Sequence, residues 1–253
     1  MIRVSIIGSG NLAQHLIQAF YGSKSIELVQ VFARNQANFL NFIDSNKVIS
    51  DLNLLENSDV YIIAVSDDAI LEVSNQLIFN NKLVVHTSGS ANSAILNSKN
   101  RKGSFYPLQT FSKNKAVDFK CIPICLEAEN EIDYELLSKV AHSISDKIFK
   151  INSDQRKAIH VSAVFVCNFV NYLYGIANKI CVENGIPFEI LYPLIQETAQ
   201  KLMVMSPNEA QTGPAIRGDM STIASHLNFL NDENQKHIYS ILTQSIAENG
   251  KEL

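Results

Sequence analysis

The chain has 253 residues, 46% of them hydrophobic and 18% charged, with a net charge of -4. That length supports one large domain or two smaller ones with cores of their own. A pI of about 5.9, with no cluster of lysine or arginine, argues against a nucleic-acid partner.

Charged residues fall below the roughly 25% average, so part of the surface is expected to be covered, most simply by a second copy. Cys121, Cys125, Cys167 and Cys181 form no C-x-x-C pair. They read as small apolar residues, and no metal site is expected.

Ile2 to Ile7 is a run of apolar and β-branched residues that predicts a strand buried on both faces. Gly8-Ser9-Gly10-Asn11-Leu12-Ala13 follows at once and opens an apolar-periodic helix through Leu16, Ile17 and Phe20. Strand, glycine turn and helix are the context in which G-x-G-x-x-A carries meaning. Gly8 permits the turn, Gly10 lets the backbone approach a pyrophosphate, and Ala13 brings the helix close to the strand. Asn11 and Leu12 belong to the same expected cofactor site. A strand starting at Ile2 leaves no room for a signal peptide, and a cytoplasmic protein is expected.

The next strand is predicted over Leu28 to Ala33, followed by a helix from Ala37 to Ile43 and a short strand at Lys47 to Ile49. No acid stands about twenty residues past the glycines, where an NAD-binding domain usually has one. Arg34 stands there instead, with Asn35 or Gln36 to add a donor, and its guanidinium can fork onto a 2′-phosphate. The expected cofactor is therefore NADP.

Val60 to Val65 and Leu83 to His86 predict further strands, alternating with helical segments as βαβ units do. Ligands lie outside the carboxyl ends of such strands. Val65, Ser66, His86 and Ser88 are thus expected beside the nicotinamide, while Asp67, Ser90 and Asn92 read equally well as helix caps. Tyr106 to Phe111 reads as a loop after a short strand, either packing or walling a substrate. Ile122 to Leu126 and Ile148 to Ile151 are later strand candidates.

After Asn152 the strands stop. Helices are predicted over Ser153–Asn184, Pro187–Met205, Asp219–Leu230 and Asp232–Glu248. The fold class is thus an α/β Rossmann-like parallel sheet over residues 1–152, followed by an all-α domain over 153–253. Ala158 to Asn178 holds no charge and is long enough to span a bilayer. His160, Ser162, Asn168, Asn171 and Asn178 would each be costly there, so a buried helix and no membrane span are expected. His160 reads either as a core histidine or as a proton donor, with Asn168 beside it. Arg217, on the turn Thr212 to Asp219, either recognises a carboxylate or phosphate or pairs with Asp219.

Gly-Ser-Gly-Asn-Leu-Ala, Ala-Val-Ser-Asp-Asp-Ala-Ile (64–70), His-Thr-Ser-Gly-Ser, Phe-Tyr-Pro-Leu-Gln-Thr-Phe and Thr-Gly-Pro-Ala-Ile-Arg-Gly-Asp occur in this order. Over nearly its full length the chain resembles a family of NADP-dependent oxidoreductases with a Rossmann-like domain and a C-terminal helical domain of unknown function. That family is similar to pyrroline-5-carboxylate reductase and, more remotely, to prephenate and 6-phosphogluconate dehydrogenases. The resemblance implies a 6-phosphogluconate dehydrogenase-like helical domain, a homodimer made through it and a substrate cleft between domains. The expected activity is that of an NADP(H)-dependent oxidoreductase acting on a small carboxylate-bearing imine, ketone or alcohol, with His160 as proton donor, Asn168 orienting and Arg217 binding the substrate anion. One departure stands out. The dehydrogenase relatives carry a lysine one turn before an asparagine; if Asn168 is that asparagine, Val164 stands in the lysine's place. A dinucleotide-binding regulatory or scaffold protein without chemistry is the alternative.

Overall fold

The computed structural model describes residues 1–34, 43–113 and 115–249. The expectations placed on Asn35, Gln36 and the helix beginning at Ala37 fall outside them. The chain divides into two compact units, Met1–Asn168 and Phe169–Leu253. Strands give way to helices at Asn152, where the sequence changes character, but the compact units part later, inside the long helical run.

The first unit is built on one eight-stranded sheet. Its strands are β1 (Ile2–Ile7), β2 (Ile26–Phe32), β3 (Val48–Ile49), β4 (Val60–Ile63), β5 (Leu83–His86), β6 (Arg101–Pro107), β7 (Ile124–Ala128) and β8 (Ile148–Lys150). They lie in the order β3-β2-β1-β4-β5-β6-β7-β8. All neighbours are parallel except β6 and β7. The segment between those two carries only a 3-10 turn at Phe119–Cys121 among the described residues. Without a crossover helix the chain folds straight back, and the pair is antiparallel.

Alternation along the strands covers both faces. Ile6, Ile62 and Val85 face a cluster completed by Leu16, Ile17 and Phe20 of α1 (Asn11–Tyr21). The neighbouring Ile7, Ile63 and Val84 face a second cluster with Ile70 and Leu77, from α2 (Ile70–Gln76) and the residue after it. The expectation for β1 holds: Val4, Ile6 and Ile7 are fully buried. A third helix, α3 (Glu131–His142), is capped by Asn130 and joins the first cluster through Leu137, Val140 and Ala141.

The helical run Ser153–Glu183 begins as α4 (Ser153–Ala163), passes through a π-helical segment at Val164–Phe169 and continues as α5 (Val170–Glu183). Asn152 and Gln155 form a reciprocal capping box at its start. The second unit continues with α6 (Tyr192–Lys201), α7 (Pro207–Ala210), α8 (Pro214–Arg217), α9 (Met220–Phe229) and α10 (Glu233–Asn249). The expected buried helix is not found in the single chain. The run is long and apolar enough to cross a membrane by length and composition, and none of its most apolar stretch is buried. Among the described residues neither apolar cluster extends past Ile148, so the apolar residues of this run lie outside both.

Candidate active site

Where β1 and β4 end at their carboxyl edge, a cleft of about 430 Å³ opens over the glycine turn. Gly8 has φ +141, and a Cβ there would run into the carbonyl of Ala64 at the end of β4. Only glycine suits that position, on conformation and on space alike. At Gly10 a Cβ would meet nothing within 4 Å, so this backbone is open to a ligand. Helix α1 starts at Gly10 with neither a side-chain cap nor an acid in its first turn. Its N–H groups are left for an anion, and Ala13 beneath them is fully buried against the sheet. These features fit the pyrophosphate of a dinucleotide.

The cleft gathers Gly8, Gly10, Asn11, Leu12 and Arg34 of the expected cofactor site, and Val65 and Ser66 from the end of β4. Arg34 is exposed and can turn to a ligand. Glu72 and Gln76 on α2 line the same cleft. They were not singled out in the sequence, although their i,i+4 spacing sets them on one helix face.

His86 and Ser88, also expected beside the nicotinamide, are not among the residues that line this cleft. His86 is fully buried and its Nδ1 accepts a 3.1 Å bond from Ser88 N–H. Its proton then lies on Nε2, which has no partner among the described residues. Burial, aided by the nearby Arg156 charge, lowers its pKa to about 4. Ser88 uses its hydroxyl to accept from the N–H groups of Ser90 and Ala91, closing the loop after β5. Asn92 does cap, accepting from Ala94 N–H at 2.9 Å.

A second cavity, of about 400 Å³, lies where α4 meets the end of β6. His160, Asn168, Tyr106 and Gln109 line it, so the structure brings His160 and Asn168 together. Tyr106 belongs to β6 rather than to a loop. Its hydroxyl shares a 3.0 Å hydrogen bond with His160 Nδ1. The loop after β5 links both places: Thr87 lines the cofactor cleft, and Gly89 lies against His160 and Tyr106.

Sequence reasoning also missed Arg156, which is fully buried. Its guanidinium donates to Ser88 O, Ser104 Oγ, Glu127 Oε2, Ala91 O and Ser153 Oγ. Burial alone would raise the Glu127 pKa, but the bonds from Arg156 and Ser153 outweigh it and hold the carboxyl low. This network fastens the first turn of α4 to the sheet, one turn ahead of His160. An i,i+4 pair of arginine and histidine just inside a cap was the available signal.

Arg217 belongs to the other unit. It is exposed at the end of α8, where Gly218 adopts a left-handed conformation. Asp219 caps α9 as expected, accepting from Thr222 N–H at 3.1 Å.

The domain of unknown function DUF2520 matches residues 122–246. A Bacteroides fragilis protein described as a candidate NADP oxidoreductase is 36% identical, with TM-score 0.88 and 98% of each chain covered. A Thermotoga maritima protein is 22% identical, at TM-score 0.75 and 98% of each chain. Plasmodium falciparum pyrroline carboxylate reductase, solved with NADP bound, shares the fold at 15% identity and TM-score 0.61, over 99% of this chain and 97% of its own. Among proteins of curated function none matches. The chain belongs to the family of the Bacteroides fragilis protein, in which a Rossmann-like domain precedes a helical region carrying DUF2520.

Proposed function

We propose that this protein is an NADP(H)-dependent oxidoreductase acting on a small carboxylate-bearing imine, ketone or alcohol. The observation that carries the reading is the cofactor cleft, with an open Gly10, an uncapped α1 and Arg34 at the end of β2. Gly8, Gly10, Asn11 and Leu12 would hold the pyrophosphate, and Arg34 the 2′-phosphate. Bound NADPH would supply a hydride to an imine or ketone, and bound NADP+ would accept one from an alcohol. Val65 and Ser66 would border the nicotinamide.

His160 is the group we assign to the oxygen or nitrogen of the bond being reduced, with Asn168 orienting the substrate. Among the described residues that line their cavity none is a lysine or arginine. Arg217, whose planar fork suits a carboxylate, is the group we assign to the substrate anion. Hydride transfer to an imine depends more on positioning than on a strong acid, so valine at 164 does not exclude it. A cytoplasmic homodimer, made through the helical region and needing no membrane or nucleic acid, completes the proposal.

Titration with NADPH and NADH tests the cofactor assignment. NADPH should bind more tightly, and Arg34→Ala should cut the preference about ten-fold, as expected for loss of a charge-assisted bond. An unchanged ratio in the variant would remove Arg34 from the site. Loss of NADPH absorbance across a panel of imino and keto acids then tests the chemistry. Tight binding with no turnover on any of them would favour the non-catalytic alternative.

A further inference from the structure

Three elements far apart in sequence meet at one point of the sheet unit. Tyr106, near the end of β6, is 8% exposed and joined to His160 of α4 through its hydroxyl. The two rings meet edge to face, with centroids 6.1 Å apart and planes at 72°. Gly89 closes the third side. A Cβ there would come 2.5 Å from His160 Nδ1 and 2.9 Å from Tyr106 Cζ. The pair is thus pressed against bare backbone, and a larger residue at 89 would part the rings or move the loop. The Arg156 network keeps α4 from sliding, which holds His160 in register over Tyr106.

We propose that Tyr106 is a positioning residue that fixes the tautomer of His160. Its hydroxyl donates to Nδ1, so the neutral imidazole keeps its proton on Nε2 as the donor for a reacting oxygen or nitrogen. The inference rests on the reading of His160 as the group that meets the substrate. Among the described residues the Tyr106 hydroxyl has no other hydrogen-bond partner. Donation to Nδ1 is then the only arrangement inside the protein that satisfies its proton. Were Nδ1 to hold the ring proton instead, the phenolic hydrogen would be stranded beside it. Burial also pushes the Tyr106 pKa up to about 12, so that hydrogen is present throughout the neutral range. Cys125 and Cys167 act in the same direction, and the Arg156 charge opposes them. A neutral imidazole offering one fixed N–H can polarise a carbonyl or imine without itself being charged.

The test needs no substrate. Two-bond proton–nitrogen correlation spectra of protein labelled at its histidine rings report the tautomer directly. They are recorded at about pH 9, above the range in which imidazoles ordinarily titrate. Comparison with His160→Gln identifies the resonance. The wild type should show His160 as the Nε2–H form. In Tyr106→Phe that preference should fall about two- to ten-fold, the worth of one neutral hydrogen bond. Gly89→Ala keeps the hydroxyl but separates the rings, should change the spectrum in the same sense, and serves if Tyr106→Phe does not fold. An Nδ1–H form in the wild type, or the same tautomer in wild type and both variants, overturns the proposal. NADPH titration of the wild type separates the two levels: failure to bind overturns the oxidoreductase reading and the catalytic use of Nε2–H, whatever the tautomer.

Discussion

The two units of this chain solve the problem of burial in different ways. In the sheet unit most of the apolar strand residues from Val4 to Leu126 enter one of two apolar clusters. In the helical unit the buried apolar residues among those described are Cys181, Ile223 and Leu230, while Val182, Leu194 and Val204 stand largely exposed. A parallel sheet covered on both faces is complete within one chain. A set of amphipathic helices is complete only when something lies against its apolar faces. The sheet unit should therefore owe its stability to internal contacts, and the helical unit to contacts that one copy does not supply.

The sharpest way to break the first half of that comparison is at Arg156. Its charge is fully buried, and it donates to three polar side chains and two backbone carbonyls. Arg156→Ala leaves the mostly enclosed Glu127 carboxylate without its counter-charge, held by Ser153 alone. Removing one partner of a buried pair costs about 3–5 kcal/mol, far more than the pair gains over an apolar replacement. The urea midpoint should fall accordingly, with the sheet unit losing its hold on α4. A shift below about 1 kcal/mol would mean that water already reaches this network.

His86 provides the next effect. Its folded pKa of about 4 lies below the ordinary 6.5 because burial disfavours the charged ring. The unfolded chain therefore takes up the proton first as pH falls. Stability is full above about 6.5 and is lost as pH drops toward 4, by about 3 kcal/mol from the linked shift. Glu127, whose folded pKa is also depressed, gives up its share at still lower pH. His86→Gln retains an acceptor for Ser88 N–H and cannot be protonated in this window. Its unfolding free energy should be nearly flat across the window in which the wild type declines; equal slopes in both would assign the decline to other groups.

The contrast between the units also marks what could be read from the sequence. The turn from β1 to α1 was legible because a doubly buried strand and a G-x-G-x-x-A turn are local signals. That Arg34 lines the cleft was legible for the same reason, since it stands two residues past the end of β2. Arg156 was not: in sequence it is one charged residue in a helix. Its burial depends on Ser88, Ser104 and Glu127, which arrive from three other segments. Gly89 reads in the sequence as an N–H donor to a substrate anion; its close approach to His160 and Tyr106 depends on segments far away in the chain. His86 is expected beside the cofactor because it ends a strand; that its ring is fully buried is a property of the folded chain alone. The π-helical segment at Val164–Phe169 left no periodic signature to find. The helices after Asn152 were predicted nearly in full. Their burial was not, because apolarity shows that a face seeks cover without showing where the cover comes from.

The helical unit supplies the last and mildest test. Val182 on α5 is 68% exposed, Leu194 on α6 63% and Val204 beyond it 82%. Monomeric soluble proteins rarely leave such residues in continuous patches. A homodimer through this region is the proposed cover, and light scattering at micromolar concentration should return twice the 28.1 kDa of one chain. Val182→Glu then separates interface from fold. The side chain is largely exposed in a single copy, so a carboxylate there should leave helix content and NADPH binding unchanged. Within an interface the same charge would be desolvated without a partner, and the dimer should dissociate about ten-fold more readily, about 1.4 kcal/mol. A monomer in the wild type would show that the helices stand without cover from a second copy. Recovery of the wild type only in detergent would show that lipid covers the run Ser153–Glu183, despite the asparagines along it. A dimer indifferent to Val182→Glu would move the interface off this part of α5 while leaving the contrast between the two units intact.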